Sequence, residues 1–154
     1  MKVKIKILAA SAALAVLMCG CAGKKADTAE LTVFYGGEGS ALQMEKTYVQ
    51  SITPDTVLQS LQRRSVIPEG IQCNSFGISE PNENGRVTIY LDLTDKIARA
   101  MKRTGCQGER TMINAIVDTY LNAYDADEIV ISVNGAELDS GRCRYSNPIS
   151  MSGV

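Results

Sequence analysis

The chain of 154 residues contains no histidine, and this limits the chemistry that its side chains can do. Ser-His-Asp and Cys-His systems need an imidazole to accept a proton, so both are excluded. Carboxylates remain: Glu38, Asp92 and Asp95 lie near predicted turns and helix starts, and paired carboxyls about 5 to 9 Å apart can hydrolyse glycosides. Acids at such positions usually cap helices or face solvent. We therefore predict no enzymatic activity, no catalytic residue and no cofactor.

A second group of acids, Asp125, Asp127 and Glu128, is the best candidate for a metal site. A calcium ion takes six to eight oxygen ligands, and these three residues lack the spacing of an EF-hand loop. A solvated loop explains them without a ligand. No metal site is therefore predicted.

Two of the five cysteines, Cys19 and Cys21, follow a basic and then apolar N-terminal segment. The apolar run over residues 7–18 is shorter than the ~20 residues that span a bilayer and is typical of a secretory signal. The stretch "MCGC" resembles a bacterial lipobox, in which small residues precede a cysteine that receives a diacylglyceryl group. Gly20 favours Cys21 as that cysteine. A plain secretory signal with incidental cysteines is the alternative.

This interpretation divides the chain into four parts. We predict a lipoprotein signal peptide over 1–20, a polar tether over 21–30, a folded domain over 31–147 and a tail over 148–154. Acyl chains bury about 0.8 kcal/mol per CH₂, so lipidated Cys21 would hold the domain at the extracytoplasmic face of the cell membrane. Beyond the signal peptide, the chain has 13 basic and 17 acidic residues, a net charge of −4. This balance predicts no nucleic-acid partner.

Three cysteines fall in the predicted domain: Cys73, Cys106 and Cys143. Their spacing matches no zinc pattern, and an exported location permits disulfides. An odd number leaves at least one thiol free unless it pairs between chains. Cys106 with Cys143 is the first choice for a single disulfide, because both lie in loop-like sequence. Three buried thiols are the alternative.

Predicted hairpins and helices alternate along the domain, and they determine where the acids and cysteines discussed above lie in the fold. The predicted strands cover 31–36, 41–50, 71–79, 86–94 and 128–133, and an Asn134-Gly135 turn with a returning segment follows. The predicted helices cover 52–64, 95–103 and 109–124. This order predicts an α+β fold, with a mainly antiparallel sheet, two to three helices packed on one of its faces, and a recurring β-β-α unit.

The clearest strand, over 86–94, has one apolar and one polar face. Its alternation predicts a sheet that is covered by helices on one side. The polar face carries a candidate interaction surface, whose ordinary alternative is a solvated sheet face, and an exposed sheet edge is a second candidate. The residues of this candidate face are Arg86, Thr88, Tyr90 and Asp92.

Two further apolar patterns are present. In the helix over 109–124, apolar residues recur at helical spacing and predict a core stripe, which includes Tyr120 and Tyr124. In the strand over 41–50, Leu42, Met44 and Tyr48 alternate with polar neighbours.

Several stretches follow one another in a characteristic order over about 31–140. A hairpin leads into a helix, "TPDTVLQSL", then the loop "IPEG", then the strand "GRVTIYLDLT". A break containing Gly and Glu precedes the long helix "GERTMINAIVDTY", and the domain closes with "ADEIVISVNGAEL". Together these pieces resemble a GerMN domain, the sporulation and spore germination module of bacterial exported proteins.

The resemblance implies a protein-interaction domain, with no catalytic residues to carry over. It implies an accessory or assembly factor in sporulation, germination or cell-envelope processes. Its partners would be envelope or sporulation proteins, or further copies of itself in a homo-oligomer. The alternative is a module that binds a cell-wall glycan or small ligand by stacking on tyrosines. With no tryptophan and two phenylalanines, the chain supplies few faces for stacking.

Overall fold

The computed structural model describes residues 28–37 and 41–152. The predicted signal peptide, Cys21 and most of the predicted tether lie outside them. The described strands are β1 (Ala29–Gly36), β2 (Leu42–Val49), β3 (Cys73–Ile78), β4 (Thr88–Leu93), β5 (Glu128–Val133), β6 (Ala136–Asp139), β7 (Arg144–Tyr145) and β8 (Ile149–Ser150). The described helices are α1 (Pro54–Arg63), α2 (Lys96–Arg103) and α3 (Cys106–Tyr124).

The strands form two sheets, and the predicted α+β class is confirmed. Strands β1 and β2 pair only with each other among the described residues, so the first hairpin does not join the larger sheet. The larger sheet has the order β3-β4-β5-β6-β7, and β8 shares one edge of β5 with β6. Its pairs are antiparallel except β4 with β5. That pair is parallel because α2 and α3 form a crossover between the two strands.

Local sequence explains where the first helix and the last hairpin turn form. Thr53 caps α1: its hydroxyl accepts a hydrogen bond from the Thr56 N–H at 3.2 Å, and Thr56 reciprocates. Pro54 then occupies the first turn, where its missing N–H costs nothing. Asn134 and Gly135 both have positive φ, 51° and 79°, as the predicted tight hairpin turn requires.

Helix α3 begins at Cys106, three residues before the predicted start, and is buried on nearly all sides. The predicted apolar stripe faces the core, and the Tyr120 hydroxyl donates to the carbonyl of Pro54 at 2.9 Å. Asp118 and Thr119 are also fully buried, although a one-sided stripe would leave them near solvent. The reason is that α3 packs against both sheets and against α1 and α2.

Thr119 closes the outer edge of β1. Its Oγ1 accepts a hydrogen bond from the Phe34 N–H at 3.0 Å and donates to the Ala115 carbonyl at 2.7 Å. A backbone N–H on an edge strand normally needs water or another strand. Here a helix hydroxyl supplies the acceptor, so the hairpin is fixed against α3 without joining the larger sheet.

Asp118 attaches the C-terminal segment to the same helix. The Ser152 N–H donates to Asp118 Oδ1 at 2.9 Å, and the Ser152 hydroxyl contacts Oδ2. Strand β8 pairs with β5 immediately before this contact. The segment over 148–154, for which the sequence predicts no element, therefore supplies a strand and satisfies a buried carboxylate.

Glu109 and Arg142 form a clamp between α3 and the β6–β7 connection. Arg142 donates to the nearly fully buried Glu109 carboxylate at 3.0 Å and also to the carbonyls of Met101 and Lys102 at the end of α2. Tyr145 donates its hydroxyl to Glu109 at 3.0 Å. Burial alone would raise the pKa of Glu109, but these hydrogen bonds and the charge of Arg142 hold that pKa below its usual range.

Replacing Thr119 with valine keeps the branched shape and removes the acceptor for the Phe34 N–H. We expect Thr119→Val to lower the free energy of unfolding by about 1 to 3 kcal/mol, the cost of an unsatisfied buried donor, measured by urea titration. Thr111→Val is the matched control on the same helix, because no hydrogen bond of the Thr111 side chain is present in the described residues. Equal losses in the two variants would contradict this role for Thr119.

Removing the Glu109 charge should make stability less dependent on acid pH. The pKa of Glu109 is lower in the folded than in the unfolded protein. The charged carboxylate therefore contributes to stability at neutral pH, and this contribution is lost as pH falls from about 4.5 through the folded pKa. We expect Glu109→Gln to cost about 3 kcal/mol at pH 7, and the difference from the parent protein to shrink at pH 3. Urea titrations at both pH values measure the difference in free energy of unfolding between variant and parent. The control is Glu137→Gln, at an exposed position. A difference that does not change with pH would contradict the clamp.

Candidate interaction surfaces

Strand β4 carries Thr88, Tyr90 and Asp92 of the predicted interaction face, and Arg86 precedes the strand by two residues. Thr88 is buried, so it does not belong to the exposed part of this face. Ile89, Leu91 and Leu93 point into the core, and Tyr90 is 53% exposed on the opposite face. The alternation read from the sequence is therefore found over residues 89–93, whereas Thr88, for which the alternation predicts the solvent side, is buried.

At one end of this face, Arg86 and Thr88 hold strands together. The Thr88 hydroxyl donates to Glu128 Oε1 at 2.9 Å, and Arg86 pairs with Glu128 Oε2 at 3.1 Å. Arg86 also donates to the hydroxyl of Ser150 at 2.9 Å. These bonds tie β4 to β5 and β8, so both side chains already have partners inside the domain.

At the other end, Asp92 organises the turn between β5 and β6. It accepts hydrogen bonds from the Ser132 hydroxyl at 2.6 Å, the Gly135 N–H at 2.8 Å and Asn74 at 2.9 Å. Burial would raise the pKa of Asp92, but these bonds outweigh it and lower that pKa. The carboxylate is thereby held in its charged form as a structural acceptor.

The second acid considered for catalysis, Asp95, is also engaged within the fold. Asp95 precedes α2 and binds Arg99 one turn later, without capping the helix. Glu38 lies outside the described residues. A general acid needs a raised pKa, and that of Asp92 moves the opposite way.

Tyr90 is the exposed side chain at the centre of the face. Gly77 lies opposite it on β3 and Val130 on β5. A Cβ atom added to Gly77 would meet no atom within 4 Å, so the space beside Tyr90 is open. The face therefore offers one aromatic side chain on a surface whose polar groups are bonded internally.

Strand β2 presents a second and more apolar surface. Met44 and Tyr48 are each 67% exposed. The apolar side chains of Met44 and Tyr48 thus face solvent. The side chains on the opposite face, those of Glu45, Thr47 and Val49, point to the helices. Glu45 can face inward because Arg64 of the α1 end pairs with it. Sequence alternation alone could not identify which face is covered.

The outer edge of β2 is open. Within residues 28–37 and 41–152, β2 pairs only with β1. Phe34 directs its N–H away from β2 toward Thr119, and Phe34 lies opposite Met44. In an antiparallel pair, two directly opposite residues either both bond to each other or both point their backbone groups outward. Because Phe34 points outward, the backbone N–H and C=O of Met44 point to the open side of β2. Strand β3, at an edge of the other sheet, is instead interrupted by an irregularity between Cys73 and Ser75.

The tyrosines are dispersed. Tyr120 and Tyr124 stack beside Phe76 in the core, as the helical stripe predicts, and burial raises the pKa of Tyr124 to about 12. The two exposed tyrosines, Tyr48 and Tyr90, lie on different sheets. The described part of the chain therefore holds no adjacent pair of exposed tyrosine rings for a sugar.

The acidic group after α3 has structural partners. Asp125 ends the helix in the left-handed conformation with φ 50°. Asp127 accepts a hydrogen bond from the Val87 N–H at 2.7 Å, and Glu128 binds Arg86 and Thr88. Over the ranges that the structure covers, no three acidic or cysteine residues are grouped to hold a metal ion.

Cys73, Cys106 and Cys143 are present as free thiols. Cys106, at the start of α3, and Cys143, in the β6–β7 connection, are both exposed, so the alternative of three buried thiols is wrong. They line one cavity of about 430 Å³ beside Glu109 and Tyr145. The pairing of Cys106 with Cys143 stays a prediction, for which both thiols are accessible.

None of the described helices is long and apolar enough to cross a membrane. The predicted anchor, Cys21, lies outside the described residues.

Comparison with solved structures identifies the fold. The tandem GerMN domains of the sporulation protein GerM from Bacillus subtilis match with a TM-score of 0.56 and 18% identity. The match covers 80% of this chain and 46% of that one, so this chain spans about half the length of the tandem structure. A provisionally named lipoprotein from Clostridium perfringens matches with a TM-score of 0.44 and 15% identity, over 80% of this chain and 87% of that one. No curated protein matches the chain.

The family is identified by the sequence itself. Residues 32–139 match the Germane family, described as sporulation and spore germination. The matched region begins within β1 and ends with β6, so it includes most of β1, strands β2 to β6 and all three helices. Strands β7 and β8 follow the matched region. The chain therefore belongs to the Germane family of sporulation and spore germination domains.

Proposed function

We propose that this chain is a lipid-anchored, extracytoplasmic accessory or assembly factor that acts by binding proteins in sporulation, germination or a related cell-envelope process. Membership of the Germane family supports the process. The lipobox-like "MCGC" stretch supports the location. The internal bonding of Asp92 supports a role in binding over a role in catalysis.

The open edge of β2 is the observation that carries the binding role. An eight-residue edge strand with free backbone groups is a template for another strand, and natural proteins usually protect such edges with bulges, charges or prolines. Lys46 is the charged residue between Met44 and Tyr48 on the exposed face, and Glu30 of β1 neutralises it at 2.7 Å. The surface is therefore apolar and nearly uncharged, as strand addition by a partner requires.

The alternative of glycan or small-ligand binding has less support. Sugars stack on grouped aromatic rings, and the exposed rings of Tyr48 and Tyr90 lie on separate sheets. A strand partner needs only the backbone of β2 and the side chains beside it.

A photo-crosslinking residue at the β2 edge should capture the partner. We expect benzoylphenylalanine at Met44 or Tyr48 of the full-length chain, expressed in its own bacterium, to give a crosslinked product. Mass spectrometry would identify an envelope or sporulation protein, or a second copy of the chain. The same probe at exposed Asn122, on α3, is the matched control. Equal yields at Asn122, or no product from growth through sporulation, would contradict the proposed edge.

The anchor can be tested separately. We expect Cys21→Ser to abolish incorporation of an alkyne-labelled fatty acid and to move the chain from the membrane fraction to the soluble fraction, because the acyl chains supply the membrane affinity. Cys19→Ser should keep both the label and the membrane location. Retention of the label by the Cys21→Ser protein would show that the anchor is assigned wrongly.

A further inference from the structure

Helix α2 concentrates positive charge on a chain that is otherwise acidic. Four of its eight residues are cationic, and none is acidic. Asp95, immediately before the helix, is the nearest compensating charge and binds Arg99. Beyond the predicted signal peptide the chain carries a net charge of −4. An acidic partner would therefore be attracted to this helix and repelled by much of the remaining surface.

Three of these cations line a groove. The residues at helical spacing are Lys96, Arg99 and Arg103. They face the segment that connects α1 to β3. The α2 groove, as we call it, has a volume of about 650 Å³. Glu69 is the one acidic residue of its lining. Neither Lys96 nor Arg103 forms an ion pair with a residue that the structure describes, so both remain available to a ligand.

The floor of the α2 groove is apolar and firmly held. Ile67 and Met112 are largely buried and belong to the main core, so the floor does not depend on mobile surface side chains. Lys96 bounds one end, with its ammonium group over Gly70: a Cβ atom added to Gly70 would lie 2.6 Å from Lys96 Nζ. The apolar lining residues are Val66, Ile67, Pro68, Ala100 and Met112.

We propose that the α2 groove binds an acidic peptide segment of a partner protein. Carboxylates of the segment pair with Lys96, Arg99 and Arg103, and its aliphatic side chains lie on the apolar floor. This inference deepens the proposed function and rests on it, since it names the chemistry of a protein partner. The site is separate from the β2 edge, so the two can fail independently.

A peptide uses both features of the groove, whereas other anionic ligands use one. A phosphate polymer or a lipid headgroup would pair with the cations and leave the apolar floor unused. A flat bilayer cannot reach the bottom of a concave groove. A neutral glycan would leave the cations unused, and the lining of the groove has no aromatic ring on which a sugar could stack. The combination of a cationic wall and an aliphatic floor fits an acidic segment with apolar side chains.

Selection from a random library of displayed 12-residue peptides on the full-length purified chain tests this. We expect enrichment of peptides that combine Asp or Glu with Leu, Ile or Val. The most enriched peptide, synthesised with a fluorophore, should bind with an anisotropy change that weakens as salt rises. The variant Lys96→Gln/Arg99→Gln/Arg103→Gln should bind about tenfold more weakly. Ala100→Glu, which places a carboxylate in the groove, should weaken binding at least as much.

The control variant Lys102→Gln/Arg110→Gln/Arg144→Gln removes the same charge from exposed positions outside the groove lining and should bind as the parent does. Circular dichroism melting checks that each variant folds. Three results would overturn the proposal: no enrichment of acidic peptides, equal weakening by the control variant, or stronger groove-dependent binding to polyphosphate or phosphatidylglycerol vesicles than to the peptide. Crosslinking at Met44 or Tyr48 would still test the proposed assembly role if the groove failed.

Discussion

Helix α3 is the element on which the rest of the structure depends, because the two sheets share no strand. It packs against β1 on one side and against β5 and β8 on the other. An α-helix can be buried on all sides only if its buried polar side chains form hydrogen bonds. Two such residues of α3 form them. Thr119 serves the backbone of β1, and Asp118 serves the C-terminal segment. The two buried polar groups thus attach both ends of the described chain to one helix.

Polar groups that are not bonded within the fold remain able to bind a partner, and the two candidate surfaces differ in how many such groups they have. On the β4 face, Arg86, Thr88 and Asp92 are bonded to neighbouring strands, so their main contribution is to stability and register. On β2, the backbone groups of Met44 and the exposed side chains of Met44 and Tyr48 have no such partners among the described residues. A surface whose groups are already satisfied gains little by binding, since each new bond replaces an existing one. Binding is therefore expected at the edge of the small sheet and not on the face of the large one.

Charged side chains also differ in whether they are bonded within the fold. The carboxylates of Glu109, Asp118 and Glu128 are bonded within the fold, whereas Lys96 and Arg103 project from α2 beside an apolar floor. Arg142 contributes to this arrangement, because it binds the carbonyl ends of α2 and holds the helix against α3. A cationic helix fixed in this way presents its charges in a constant geometry.

The sequence by itself determined the local elements of this protein: the cap at Thr53, the alternation of β4, the core stripe of α3 and the turn at Asn134-Gly135 each depend on neighbouring residues. The order of these elements also allowed the family to be named. Only the tertiary structure decided that Met44 and Tyr48 face solvent, that β4 and β5 are parallel, that residues 149–150 form a strand, and that Lys96, Arg99 and Arg103 border an apolar floor. Those features depend on contacts between residues that are distant in the chain, and no local pattern records which face of an element another element will cover.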